Sequence, residues 1–202
     1  TTPEAMEIVD QTLHGEINQG LVDTINEFGG RATSIHGTSV FQATQLTGKD
    51  ESGQEIDIGQ VGQVDHCLTE EVLYALSSRL VPVVSPLGRH KESGKTHNIN
   101  ADLAAAALAC ALKPAKLVYL SDVPGLLSDP ADQSSLIESV TGDEAKDLIA
   151  DGTISGGMIP KITSALEALE SGVEKVHFID GRMPHTLLLE IFTKSGIGTE
   201  IR

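Results

Sequence analysis

Three short runs of this 202-residue chain hold residue types that could do chemistry. Asn98, Asn100 and Asp102 alternate in N-I-N-A-D, at the mouth of an Ala-rich helical run. Ser121 ends the hydrophobic, strand-like segment 116–121, and Asp122, Val123, Pro124, Gly125 and Leu126 follow it. Ile154, Ser155, Gly156 and Gly157 precede a helical run that carries Lys161 near its start. Helix N-termini and the carboxyl ends of parallel strands are where α/β proteins hold phosphates and substrates. Each run also has a plainer reading. Asn100 is a natural N-cap, and Asp102 suits the positive end of a helix dipole. Asn98 is not explained by capping. Asp122 could serve a ribose, a metal or a lysine, but taken alone it reads as the start of a turn. The diglycine with Lys161 fits a phosphate site or a loop with a solvent lysine equally well, and it is neither a Walker A nor a G-x-G-x-x-G sequence.

The elements that must position these residues follow from periodicity. Thr2-Pro3-Glu4 starts a helix that continues to Phe28 and stops at Gly29-Gly30. A short strand over 31–36 comes next. Segments 41–46 and 56–64, joined by the polar turn T-G-K-D-E-S-G-Q-E, read as a hairpin. A helix over 69–80, a strand over 81–86 and a second hairpin over 89–97 precede the 100–112 helix. Then come the 116–121 strand, a capped helix from Thr141 to about Ala150, a 158–171 helix, a 175–180 strand and a last helix over 185–192. This alternation predicts an α/β fold, a mostly parallel central sheet with helices on both faces, plus the two β-hairpins.

Composition narrows the possibilities. Hydrophobic residues make up 40% and aromatic ones 3%, an aliphatic balance suited to helices on a parallel sheet. A formal charge of −15 excludes a protein that coats nucleic acid through its overall field, but leaves room for a small anion held locally. Cys67 and Cys110 are the two cysteines; without metal-type spacing they fit a reducing cytoplasm, with Cys110 expected as a small buried hydrophobe. His36, His66 and His97 show no zinc spacing, so no metal site is expected. No run reaches membrane-spanning length, and no signal-peptide pattern opens the sequence.

In this order, these runs resemble the acetylglutamate kinases of the amino-acid kinase family. The matching stretches are D-I-G-Q-V-G-Q-V (57–64), N-I-N-A-D (98–102), L-S-D-V-P-G-L-L (120–127), I-S-G-G-M-I-P-K (154–161) and I-D-G-R-M-P-H-T-L-L-L-E-I-F (179–192), and the likeness covers essentially all 202 residues. N-I-N-A-D and G-G-M-I-P-K are specific as a pair. The resemblance implies transfer of the γ-phosphoryl group of ATP to the side-chain carboxylate of N-acetyl-L-glutamate, a step of arginine biosynthesis. It implies that Asn98 and Asn100 bind acetylglutamate, that Asp102 organises the catalytic lysines, and that Lys161 neutralises the moving phosphoryl group. Ser121, Asp122, Val123, Pro124, Gly125 and Leu126, with Ile154, Ser155 and Gly156, would line the nucleotide site, and Mg²⁺ would accompany ATP.

The resemblance also implies one amino-acid-kinase-like domain over 1–202, with 1–97 mainly the substrate and hairpin side and 98–202 mainly the nucleotide side. It implies a homo-oligomer and, from the ending P-H-T-L-L-L-E-I-F-T-K-S-G-I-G-T-E-I, arginine as an inhibitor. Family members begin with a strand, a Gly-rich loop and a second lysine, then a further Gly-rich loop and an Arg that grip acetylglutamate. Thr1 corresponds to a point inside that domain, so the expectation is an N-terminally incomplete domain with little activity alone. The usual Gly-Lys-Asp triplet is replaced by His36-Gly37-Thr38-Ser39. The alternative of a different class is a non-catalytic regulatory homologue that binds nucleotide or arginine.

Overall fold

A computed structural model describes residues 1–50, 52–129, 131–193 and 197–202. Glu51 of the expected hairpin turn and residues 194–196 of the arginine-type ending lie outside the described residues. The chain divides into two compact units, Thr1–Ala111 and Leu112–Arg202.

In the first unit, Thr2 Oγ1 accepts the Ala5 N–H at 3.2 Å and Pro3 takes the first helical position, which starts α1, Pro3–Asp10. The single long helix expected to Phe28 is interrupted: Gln11–Asn18 is wound as a π-helix before α2, Gln19–Glu27. The wider turn carries Asn18 inward, where its amide donates to Val83 O at 2.8 Å and accepts from Ser34 Oγ at 2.6 Å. Those bonds satisfy a polar group that is almost completely buried.

Strands β1, Ala32–Ile35, β2, Phe41–Lys49, and β3, Glu55–Cys67, follow, then helix α3, Glu70–Ser77. Strands β4, Val81–Val84, β5, Leu87–His90, and β6, Thr96–Ile99, lead into α4, Ala101–Leu112. β1 and β4 form a parallel pair. The two expected hairpins are present, β2 with β3 and β5 with β6, and they close on each other as a four-stranded barrel, β2-β3-β6-β5, through parallel β2/β5 and β3/β6 contacts. The closure was not expected. It depends on Gly62 and Gly88, where an added Cβ would come within 3.1 Å of Ala43 Cβ, and on the buried Ala43, Leu87 and Ile99. Cys110 is only half-buried, a correction to its expected burial; it follows the buried Ala109 on the flank of α4.

The second unit holds β7, Lys116–Ser121, β8, Ser139–Val140, α5, Gly142–Ala150, α6, Met158–Ser171, β9, Lys175–Asp180, α7, Thr186–Phe192, and β10, Thr199–Ile201. The sheet order is β7-β9-β10-β8: β7/β9 and β10/β8 are parallel, and β10/β9 is antiparallel. β8 and β10 are two and three residues long, too short to carry a strand signal in the sequence. Thr141 and Glu144 form the expected capping box at the start of α5. Val176, Phe178 and Ile179 of β9, with Ile162, Ala165 and Ala168 of α6, are fully buried and form the core. Among the described residues, no helix is long and apolar enough to cross a membrane.

Candidate functional site

The second unit presents a loop at the carboxyl end of its parallel strands. β7 and β9 run in register from Lys116 opposite Lys175 to Ser121 opposite Asp180. Beyond Ser121 the chain turns through Gly125, at φ 149°, a conformation that suits glycine. A Cβ there would also meet Thr199 Oγ1 at 2.5 Å. Leu126 is buried, and its N–H donates to Thr199 Oγ1 at 2.8 Å. From the other side comes the link between α5 and α6, held by Thr153 N–H on Asp151 Oδ1 at 2.9 Å and Ile154 N–H on Leu148 O at 2.8 Å.

These two segments, about 30 residues apart in sequence, wall one cavity of about 210 Å³. Val123, Gly125, Leu126, Ile154 and Ser155, all singled out from sequence, line it. Ser121, Asp122, Pro124 and Gly156 are their chain neighbours and are not among its lining residues. Leu127, Thr153 and Met158 complete the wall; Leu127 and Met158 lie within the stretches 120–127 and 154–161 without having been singled out, and Thr153 directly precedes the second. A slot with aliphatic walls and backbone edges can receive a flat, weakly polar ring.

α6 begins beside this slot. Gly156 sits at φ 58° and Gly157 caps the helix without a side chain, so its first N–H groups keep no side-chain acceptor. Lys161 falls in that first turn, half-buried. The Met158 and Ile159 N–H groups donate to Ser155 O and Gly156 O, each at 3.3 Å, and Pro160 has none, so the attraction for an anion rests on the helix dipole and the Lys161 ammonium. α6 is docked on the sheet through Ser164, whose Oγ donates to Lys161 O at 2.9 Å and lies 3.2 Å from Tyr119 Oη. Tyr119 in turn stacks on Phe178 with ring centroids 5.0 Å apart.

At the end of β9, Asp180 is buried and Arg182 grips it twice, Nε to Oδ1 at 2.9 Å and Nη2 to Oδ2 at 2.8 Å. The Arg182 backbone N–H donates to Oδ1 as well, at 2.9 Å. The guanidinium and then that N–H hold the Asp180 carboxyl at about 2.

The other predicted residues belong to the first unit. β6 alternates, with His97 and Ile99 buried and Thr96 and Asn98 on the opposite face. Asn98 is half-buried, paired in the barrel with Val61 and Leu87. Asn100 caps α4, its Oδ1 accepting the N–H groups of Asp102 at 3.0 Å and Leu103 at 3.2 Å. Asp102 stands in the first turn of α4. Among the described residues no cluster of three or more His, Cys, Asp or Glu side chains is arranged to hold a metal ion.

A second, polar cavity of about 350 Å³ in the second unit escaped the sequence reading. Glu138, His177, Glu190, Glu200 and Arg202 are among its lining residues. His177 Nδ1 lies 2.6 Å from Glu190 Oε1, and both side chains are almost completely buried. Burial pushes the Glu190 carboxyl up, but the N–H groups of Ile197 and Gly198 and the His177 ring outweigh it and hold it below the ordinary value. His177 Nε2 is buried without a hydrogen-bond partner, 3.8 Å from Glu200 Oε2.

Comparison with known proteins places this geometry in a family. The model of the amino acid kinase family matches residues 1–180. An acetylglutamate kinase from Akkermansia muciniphila is 60% identical over 201 residues, covering 100% of this chain and 68% of that protein. The crystal structure of smu.665 from Streptococcus mutans superposes with a TM-score of 0.76 at 28% identity, over 100% of this chain and 73% of that one. An N-acetylglutamate synthase from Neisseria gonorrhoeae, complexed with coenzyme A and L-arginine, superposes at 0.72 with 31% identity over 85% of this chain and 38% of its own. The chain belongs to the amino acid kinase family, and within it to the acetylglutamate kinases.

Proposed function

We propose that the chain carries out the phosphoryl transfer of its relatives, with ATP as donor and the side-chain carboxylate of N-acetyl-L-glutamate as acceptor, within arginine biosynthesis. The observation that carries the reading is the shared cavity: two separate segments singled out for a nucleotide meet around one slot beside the start of α6. The slot suits the base. The positive dipole end of α6 and the Lys161 ammonium suit the phosphates.

In the reaction a carboxylate oxygen forms the new bond to the γ-phosphorus, the bridge to the β-phosphate breaks, and ADP leaves with that electron pair. The product is an acyl phosphate. Negative charge on the phosphoryl oxygens is what Lys161 would offset. Asp102 would orient the cations, and Asn98 and Asn100 would hold acetylglutamate through amide hydrogen bonds. Mg²⁺ would arrive on the nucleotide's own phosphates. The setting is the cytoplasm. A homo-oligomer is supported by apolar side chains left exposed along the first helical region, Ile17, Leu21 and Phe28.

A second ligand is favoured by the polar cavity. Its lining carries both signs, Glu138, Glu190 and Glu200 with Lys116, Lys175 and Arg202, and one orphaned imidazole nitrogen, which suits an amino acid that bears a carboxylate and a cationic side chain. We read it as the place of arginine, the inhibitor implied by the sequence ending.

Calorimetric titration with ADP, N-acetyl-L-glutamate and arginine tests the binding reading, and a hydroxylamine trap for acyl phosphate with Mg²⁺-ATP tests transfer. ADP is expected to bind, and Lys161→Ala to weaken ADP binding and remove any trapped product. A folded chain that binds neither ADP nor acetylglutamate overturns the proposal. Glu190→Gln should lose the arginine heat and keep that of ADP.

A further inference from the structure

Tyr119 has no part in the proposed chemistry, yet it ties together the two elements that supply the nucleotide site. It stands on β7 two residues before Ser121, where the 121–126 loop leaves the sheet. Its almost completely buried ring lies opposite Phe178 in the parallel β7/β9 register and stacks on it, with centroids 5.0 Å and planes 12° apart. That stack fixes the direction of the phenol. Its Oη lies 3.2 Å from Ser164 Oγ, a buried hydroxyl in the second turn of α6. Ser164 Oγ donates in turn to Lys161 O at 2.9 Å. A serine bonded back to a carbonyl three residues earlier is an ordinary helix feature and by itself anchors nothing. The phenol makes it an anchor, because a rigid arm from the sheet now reaches the hydroxyl that holds the Lys161 main chain. Around it α6 is buried through Ile162, Ala165 and Ala168. Apolar burial is non-directional, so the hydroxyl pair adds direction to that packing.

We propose that Tyr119 is a positioning residue: through Ser164 it fixes the start of α6, and with it Lys161, relative to the loop that β7 launches. The proposal rests on the nucleotide reading of the slot and of Lys161. A nucleotide spans two places, its base in the slot and its phosphates at Lys161, so binding both at once depends on their separation. From α6 the slot takes only Met158, a flexible side chain. Its other walls are held from elsewhere, by Thr199 on Leu126 and by Leu148 and Asp151 on the 153–154 link. A slip of α6 therefore spares the base and misplaces the ammonium, whose attraction falls with distance.

Calorimetry on the full chain, with ADP and with adenosine, tests this. Tyr119→Phe keeps the ring and its stack and removes the hydroxyl. It should raise the ADP dissociation constant about fivefold, the scale of one neutral hydrogen bond, and leave that of adenosine unchanged. Ser164→Ala should do the same from the other side of the contact. The Tyr119→Phe/Ser164→Ala double variant should be no weaker than either single one, because the two hydroxyls act as a unit. In a Lys161→Ala background, Tyr119→Phe should cost no further ADP affinity, since the phenol acts through that lysine. A general loss of packing would instead weaken ADP and adenosine together. That parallel loss, unchanged ADP affinity in both single variants, or further loss in the Lys161→Ala background overturns this inference and leaves the nucleotide site intact. A parent chain that binds neither ADP nor adenosine overturns the nucleotide reading and this inference with it.

Discussion

Thr199 holds Leu126: its Oγ1 accepts the Leu126 N–H at 2.8 Å and donates to Ile137 O at 2.6 Å, with Thr199 completely buried. One hydroxyl on the C-terminal strand therefore satisfies two backbone groups, one of which belongs to a residue that lines the candidate slot. Thr199→Val keeps the shape and strands both partners away from water. It should cost about 1–3 kcal/mol, read from denaturant melts, whereas Thr199→Ser should lose less because the hydroxyl remains. A valine variant as stable as the parent would mean that water reaches Leu126 N–H.

The barrel makes a sharper packing prediction. A Cβ on Gly88 would come within 2.4 Å of Ile99 Cδ1 and 3.0 Å of Ala43 Cβ. Gly88→Ala should therefore destabilise the first unit by about 1–3 kcal/mol through overpacking. Removing the opposing methyl in Gly88→Ala/Ile99→Val should restore part of that loss. Thermal melts of the single and double variants check it, and additivity of the two changes would count against the contact.

Acid should weaken the first unit through its histidines. Burial, and next the nearby His36, push His14 down, and burial pushes His97 down. Both imidazoles thus take up protons more readily unfolded than folded, so their contribution is complete above the ordinary value of 6.5 and is lost as pH falls below it. His97→Gln should flatten that acid limb in a series of melts across pH 5 to 8, a window set by the ordinary imidazole range. Asp180 acts lower: its contribution is complete above 3.8 and is lost as pH falls through about 2. Asp180→Asn should therefore leave the His-dependent limb unchanged.

Asn100 permits a separation of structure from binding. Its Oδ1 caps α4, so Asn100→Ala should cost about 1 kcal/mol while Asn100→Asp, an equally good cap, should cost little. If the amide also meets the acetylglutamate carboxylate, Asn100→Asp should bind that ligand much more weakly, since two carboxylates repel. Equal acetylglutamate affinity in Asn100→Asp and the parent would leave Asn100 as a cap alone.

The sequence by itself determined the elements whose signals are local. The strands at 116–121 and 175–180 and the helix at 158–171 have the bounds their periodicity predicts, and Thr141, Asn100 and Thr2 cap where their chemistry requires. It also marked both segments of the slot, because glycines and short polar residues next to a strand end and a helix start are legible without neighbours. What only the tertiary structure decided depends on contacts between distant residues. The π-helical stretch answers to the demand of buried Asn18 for Val83 and Ser34. The barrel closes because Gly62 and Gly88 face Ala43 across strands. β10 is a strand only because β8 and β9 stand on either side of it. The buried His177–Glu190 pair likewise lies outside what spacing can show, because it joins residues thirteen apart across two elements. Burial and pairing are properties of the folded chain, and no local pattern encodes them.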